Sequence, residues 1–196
     1  MIKVRTGVFE TNSSSEHSLA VYPSCKSSAA LLGIKQFTYE DEDEDDINNH
    51  RNKVRAWYVH EINNACHNGV VTIDRLGCDR FRCIDSFLEK LEYLIAIVLG
   101  TSEIIRIDEI KKNKLVEVLL ENAKLAAKHL GVKIKDFKFD SSTYRTDGFV
   151  TVGKNEMFCE VDHGVLEMGS NSSIDGMSFY DILVEPDIEI VYWRNG

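Results

Sequence analysis

The side chains best suited to chemistry in this sequence lie close together near its start, in the run from Phe9 to Ser18. The run reads Phe-Glu-Thr-Asn-Ser-Ser-Ser-Glu-His-Ser, which brings an amide, several hydroxyls, two carboxylates and an imidazole into ten residues. Successive hydroxyls and backbone amides in a turn can form a concave nest that receives an anion such as phosphate. His17 could add a switchable positive charge, and Arg5 a permanent one. The candidate ligand-binding residues are therefore Arg5, Asn12, Ser13, Ser14, Ser15 and His17.

Two other interpretations of this run stay open. A serine, with Ser14 as the candidate, could be a nucleophile that His17 activates for hydrolysis or group transfer. The run lacks the glycines that expose a catalytic serine at a strained turn, and the base of known triads normally comes from a distant part of the chain. Alternatively, the hydroxyls could bond back to the local backbone and only stabilise a tight bend.

A second group of polar residues stands where a predicted strand ends, just before Gly164. Strand alternation places Glu160 and Asp162 on one face and His163 on the other. The two carboxylates could bind a cation or act as an acid and base pair, or they could belong to a solvated hairpin edge. If this edge pairs with the N-terminal strands, Asp162 and His163 would join the ligand-binding residues, and His163 would become a further catalytic candidate.

The segment from Arg5 to Ser18 resembles the start of a family of uncharacterised proteins from bacteriophages and bacteria. Members of that family begin with a similar Phe-Glu-Thr-Asn-Ser-Ser-Ser-x-His-Ser signature, and the resemblance is specific over these fourteen residues. The family is also associated with an Asp-His pair in its C-terminal half, to which Asp162-His163 would correspond. The resemblance implies a phage-type origin and marks a site, but the family has no settled activity.

A zinc site is a further possibility, since two histidines and three cysteines lie between His60 and Cys83. Zinc takes four such ligands in a tetrahedral array, commonly grouped as close pairs. Cys66 and His67 are adjacent and could rarely both bind one ion, so the predicted set is His60, Cys66 (or His67), Cys78 and Cys83. Cys78 and Cys83 are separated by four residues and not by two, so buried or incidental thiols are the alternative. No other cofactor is predicted.

Composition limits the possible partners. The chain has 196 residues and a formal net charge of −9, which argues against direct binding of a nucleic-acid backbone. It contains no run of 18 apolar residues that could span a membrane, and its start lacks the features of a signal peptide. Five cysteines without export signals indicate reduced thiols, so a cytoplasmic location in a bacterial host cell is expected. P-loop, dinucleotide-binding and HExxH motifs are missing.

The pattern of apolar residues predicts an α+β fold, in which a mixed or antiparallel sheet of N- and C-terminal strands packs on two central helices. A single domain over residues 1–196 is expected, with a flexible acidic loop at about 39–48 around the seven acidic residues from Glu40 to Asp46. The predicted helices are 47–64, 85–99, 111–130 and 178–184. The predicted strands are 2–9, 18–22, 70–73, 132–139, 149–152, 156–161 and 188–193.

Three functions are compatible with these patterns. The first is a phage-type soluble protein whose Ser-rich turn binds a phosphate-bearing small molecule, such as a nucleotide, to counter a host process. The second is a hydrolase or transferase that uses serine and histidine on a similar substrate. The third is an interaction protein whose acidic run imitates a polyanion and inhibits a host protein. The oligomeric state is left open by the sequence.

Overall fold

The computed structural model describes residues 16–21, 44–74, 76, 83–84, 86–100, 103–141, 145–147, 150–159, 178–186 and 188–194. Its described helices are α1 (Glu44–Ala65), α2 (Phe87–Leu99), α3 (Ile107–Ile110), α4 (Lys114–His129) and α5 (Phe179–Val184). Its described strands are β1 (Glu16–Val21), β2 (Cys66–His67), β3 (Val70–Ile73), β4 (Cys83–Ile84), β5 (Glu103–Arg106), β6 (Asp136–Phe139), β7 (Arg145–Asp147), β8 (Val150–Val152), β9 (Glu156–Cys159) and β10 (Glu189–Arg194). These elements confirm the predicted α+β class.

The described strands form one antiparallel and one mixed three-stranded sheet, and two strand pairs. In the first sheet β10 lies between β1 and β4 and is antiparallel to both. In the second, β3 is antiparallel to β2 and parallel to β6. The pairing of β1 with β10 joins the N-terminal and C-terminal regions, as the predicted architecture requires.

Asn68 and Gly69 form the turn between β2 and β3. Both residues have positive φ angles, 55° for Asn68 and 85° for Gly69, as a two-residue type I′ turn demands. Gly69 also allows a close approach, because a β-carbon there would lie 2.8 Å from the Cδ atom of Lys135. The Gly69 carbonyl accepts a hydrogen bond from the Lys135 amide at 2.7 Å. The turn therefore connects the β2–β3 hairpin to the chain that enters β6.

Two neighbouring predicted strands, 149–152 and 156–161, are described as β8 and β9, and they are joined by a turn but pair with different strands. The amide of Glu156 donates to the Gly153 carbonyl at 3.1 Å, but β8 pairs with β7 and β9 pairs with β5. The β5–β9 ladder sets two buried side chains, Ile105 and Met157, directly opposite each other. Burial of this apolar pair, which a turn-based prediction cannot foresee, accounts for the choice of partner.

Helix α2 confirms the predicted central helix. Its N-cap is Ser86, whose hydroxyl accepts from the Glu89 amide at 3.2 Å, and Gly100 ends it with a φ of 93°. Residues 90–96 are all buried, so α2 lies inside the core and contacts neighbours on every side.

The second predicted central helix, 111–130, begins later than expected. Asn113 caps α4, because its side-chain oxygen accepts from the amides of Leu115 at 2.9 Å and Val116 at 3.3 Å. Asparagine is a preferred N-cap residue, so the short helix α3 ends before it and a new helix starts after it. The buried face of α4 consists of Val116, Leu119, Ala123, Ala126 and Ala127.

Helix α1 begins at Glu44, three residues before the predicted start. Its first turn contains Glu44, Asp45 and Asp46, so this part of the predicted flexible loop at about 39–48 is helical. Carboxylates are favourable there, because the free amides of a helix N-terminus carry partial positive charge. Residues 39–43 lie outside the described residues. None of the described helices is both long enough and apolar enough to cross a membrane.

Candidate functional site

The last three residues of the Ser-rich run, which extends from Phe9 to Ser18, belong to strand β1. Arg5 and residues 9–15 lie outside the described residues, and β1 begins at Glu16. The sequence predicted that this strand starts at Ser18, so His17 belongs to the strand and not to the connection before it. Its position is therefore set by backbone hydrogen bonds to β10, whereas a loop residue would lack that constraint.

The pairing of β1 with β10 places residues of the C-terminal strand next to the candidate site. Glu16 lies opposite Arg194, His17 opposite Trp193, and Ser18 opposite Tyr192. The sequence prediction of a closing strand at 188–193 ended one residue before Arg194. It could not identify the partner of that strand, because strand pairing is decided by distant parts of the chain.

Asp162 and His163 would join this site only if their strand paired with the N-terminal strands. The described pairing is different: β9, which ends at Cys159, pairs with β5, and β1 pairs with β10. Asp162 and His163 themselves lie outside the described residues. The described strand pairing therefore places Arg194 opposite Glu16, and it pairs β9 with β5 and not with β1.

The predicted zinc ligands are only partly described. The exposed His60 lies on α1, with its Nε2 atom 2.9 Å from the side-chain nitrogen of Asn64. Cys66 is a half-buried free thiol at the start of β2. Cys83 begins β4, and Cys78 lies outside the described residues. In the described ranges no three His, Cys, Asp or Glu side chains are grouped so that they could hold a metal, and the zinc site stays a prediction.

A carboxylate from α1 meets the first turn of α2. One oxygen of Glu61 accepts from the Leu88 amide at 3.3 Å, and the carboxylate also hydrogen-bonds to the Ser86 side chain. Burial raises the pKa of Glu61 above its usual value near 4.5, although the hydrogen bonds from Ser86, Leu88 and Phe87 act in the opposite direction. Glu61 lies 25 residues before Ser86 in the chain, so the sequence did not identify it as a partner of this helix N-terminus.

Replacement of Glu61 with glutamine should change the pH dependence of stability. A carboxyl whose pKa is raised on folding contributes stability below its unfolded pKa, and that contribution is lost as pH rises through the folded value. We therefore expect the wild-type free energy of unfolding, relative to that of Glu61→Gln, to fall as pH increases from about 4.5. Urea unfolding of both proteins between about pH 4 and 8 measures this difference. A difference that grows with pH, or stays constant, would contradict the assignment.

Lys90 is a fully buried cation in the middle of α2. Its Nζ atom donates to the Tyr58 hydroxyl at 2.7 Å and to the Glu185 carbonyl at 3.0 Å, and it lies 5.2 Å from the centre of the Tyr58 ring. The side chain is 0% exposed, so its ammonium connects α1, α2 and the residue that follows α5, and does not face a ligand. Its role is structural.

A cavity of about 480 Å³ opens where β5 ends and the turn between β8 and β9 begins. It is lined by Arg106, Gly153, Lys154, Asn155 and Glu156. None of these residues was among the functional candidates predicted from the sequence. Their charged groups come together only because β9 pairs with β5, which places Glu156 opposite Arg106.

Comparison of the chain with protein-family models, curated proteins and solved structures finds no match. Function must therefore be inferred from the residue chemistry. Among the described features, the pairing of β1 with β10 lies at the site that was predicted from the sequence.

Proposed function

We propose that the protein binds a phosphate-bearing small molecule, such as a nucleotide, where the Ser-rich run enters β1. The observation that carries this proposal is the register of β1 and β10, which sets Arg194 opposite Glu16 and Trp193 opposite His17. Residues directly opposite in an antiparallel pair have β-carbons about 5 Å apart. Arg194 therefore lies next to Glu16, which directly follows the three serines of the Ser-rich run.

A phosphate site in this chain needs a local cation. The formal net charge of −9 repels anions at long range, so attraction must come from groups at the site itself. Arg194 fits this need, because a guanidinium can give two parallel hydrogen bonds to phosphate oxygens. The hydroxyls of Ser13, Ser14 and Ser15 would supply uncharged donors.

The neighbouring aromatic residues favour a ligand that also carries a base. Tyr192 lies opposite Ser18, and Trp193 lies opposite His17. By strand alternation Tyr192 would share a face with Arg194, and Trp193 would share the other face with His17, so Tyr192 is the ring that could accompany a phosphate held by Arg194. Aromatic rings stack on nucleobases without strong sequence preference, at about 1–3 kcal/mol for each base. A nucleotide combines both groups that these residues suit. In a phage-type protein, sequestration of such a molecule in the bacterial cytoplasm would counter a host process.

Thermal unfolding with a nucleotide panel tests the proposal. At a ligand concentration of about 100 times Kd, binding should stabilise the protein by about 2.7 kcal/mol and raise Tm by about 5–10 °C. Arg194→Ala, and Ser14→Ala combined with His17→Ala, should each remove most of this rise. Arg55→Ala is the matched control, because Arg55 is an exposed arginine of α1.

The same samples separate binding from catalysis. Simple binding predicts that the nucleotide is recovered chemically unchanged, whereas a Ser/His enzyme would return an altered product with a rate that follows imidazole ionisation. If no nucleotide raises Tm, the proposal fails. If binding survives all site variants but ends when the acidic residues 40–46 are neutralised, the acidic run carries the function instead.

A further inference from the structure

The cavity beside Arg106 contains charged groups of both signs at its wall. Arg106 and Glu156 form the last register pair of the β5–β9 ladder, and the turn between β8 and β9 adds the exposed Lys154 and Asn155. Within the described part of the chain, neither the Lys154 ammonium nor the Asn155 amide makes a side-chain hydrogen bond or ion pair. These groups are thus available to a ligand.

Arg106 is oriented for such contact by a neighbouring carboxylate. Its Nε atom lies 3.2 Å from an oxygen of Asp108, whose other oxygen lies 3.2 Å from the Lys112 ammonium. Hydrogen bonds from these two cations lower the pKa of Asp108, which favours its ionised form beside the guanidinium. A guanidinium has five N–H donors, and the contact through Nε leaves the two terminal amino groups to face a ligand.

The backbone of the turn is fixed as well. The Ile107 amide donates to the Asn155 carbonyl at 3.2 Å, and the Glu156 amide donates to the Gly153 carbonyl at 3.1 Å. The first bond connects the residue after β5 to the turn, and the second closes the turn itself. The cavity is therefore preorganised in its backbone, which reduces the entropy lost on binding.

The donors and acceptors of the wall define the ligand. Arg106 and Lys154 can only donate hydrogen bonds, whereas the Glu156 carboxylate can only accept them. A matching molecule presents several anionic oxygens to the cations and a hydroxyl to the carboxylate. A volume of about 480 Å³ is enough for a small metabolite. We propose that this cavity binds a phosphorylated polyol, with phosphate on Arg106 and Lys154 and a hydroxyl on Glu156.

This site shares no residue with the proposed site at β1 and β10, so each can fail alone. The test uses amide NMR of the full chain, titrated separately with inorganic phosphate, glycerol 3-phosphate and glycerol. We expect glycerol 3-phosphate to shift the amides of residues 106–108 and 153–156 and to bind about threefold to tenfold more tightly than inorganic phosphate, because only the ester carries alcohol hydroxyls that can reach Glu156 while its phosphate contacts Arg106 and Lys154. Glycerol alone should cause no saturable shift.

Variants assign each contact. In Glu156→Ala the preference for glycerol 3-phosphate over inorganic phosphate should disappear, because the acceptor of the alcohol hydroxyl is gone, whereas loss of its negative charge acts on both anions alike. Arg106→Ala should weaken both anions about tenfold, and Arg106→Lys, which keeps the charge but loses the planar fork, should recover only part of this loss. Lys133→Ala is the control, because Lys133 is an exposed lysine outside the cavity.

Two results would overturn the proposal. One is an equal affinity for inorganic phosphate and glycerol 3-phosphate in the wild-type protein. The other is an unchanged affinity in Arg106→Ala, provided that circular dichroism shows the variant to be folded. The Ser14→Ala and His17→Ala variant should bind glycerol 3-phosphate normally, which distinguishes failure at this cavity from failure at the β1 site.

Discussion

Lys90→Ala is expected to reduce the free energy of unfolding by about 2–4 kcal/mol. The substitution removes a long buried side chain from α2 and leaves a cavity in the core. It also removes the ammonium group that donates hydrogen bonds to the Tyr58 hydroxyl and the Glu185 carbonyl. Relief from burial of the ammonium offsets part of this cost. Chemical denaturation followed by circular dichroism measures the change.

A second variant separates packing from charge. Lys90→Met keeps most of the buried volume and removes the ammonium, so it should cost about 1 kcal/mol and less than half the effect of alanine. A double-mutant cycle with Tyr58→Phe should show that the two losses are not additive, because both remove the same hydrogen bond. Equal destabilisation by methionine and alanine would show that the charge, and not the packing, dominates.

Leu119→Ala should destabilise the protein by about 2–5 kcal/mol, whereas Leu125→Ala on the same helix should change stability by less than about 0.5 kcal/mol. Leu119 is 0% exposed and belongs to the face of α4 that packs in the core, while Leu125 is 56% exposed. Both variants replace leucine with alanine in the interior of one helix, so the difference in helix propensity is the same. Thermal and urea unfolding of the two variants measure the change in the free energy of unfolding that each substitution causes.

Equal destabilisation by the two substitutions would contradict this prediction. If Leu125→Ala costs as much as Leu119→Ala, the exposed face of α4 is covered in solution, for example in an oligomer. Stability that depends on protein concentration would then identify self-association.

The sequence predicted those helices and strands whose ends are marked by residues with a strong conformational preference. Ser86 and Gly100 mark the two ends of α2, and Asn68-Gly69 marks the β2–β3 turn, since each of these residues adopts the conformation that its type favours. The division of the second helix at Asn113 was also encoded locally. The apolar pattern on both sides of it concealed that signal.

Long-range contacts could not be predicted in this way. The parallel pairing of β3 with β6, and the pairing of β9 with β5, join segments that are far apart in sequence. Lysine is normally an exposed residue, so nothing in the sequence around Lys90 indicates that its ammonium is buried. Arg194 became a candidate only when the register of β10 was known. The Ser-rich run itself was evident from residue types alone, because its chemistry is concentrated in consecutive positions.

The β1–β10 ladder has a consequence for synthesis of the protein. About 170 residues separate the end of β1 from the start of β10, and translation at about 5–20 residues per second takes about 8–35 s to cover them. During that interval β1 has emerged from the ribosome while its described partner does not yet exist. A nascent chain therefore cannot hold Arg194 beside Glu16, and the β1–β10 pairing can form only after β10 is made.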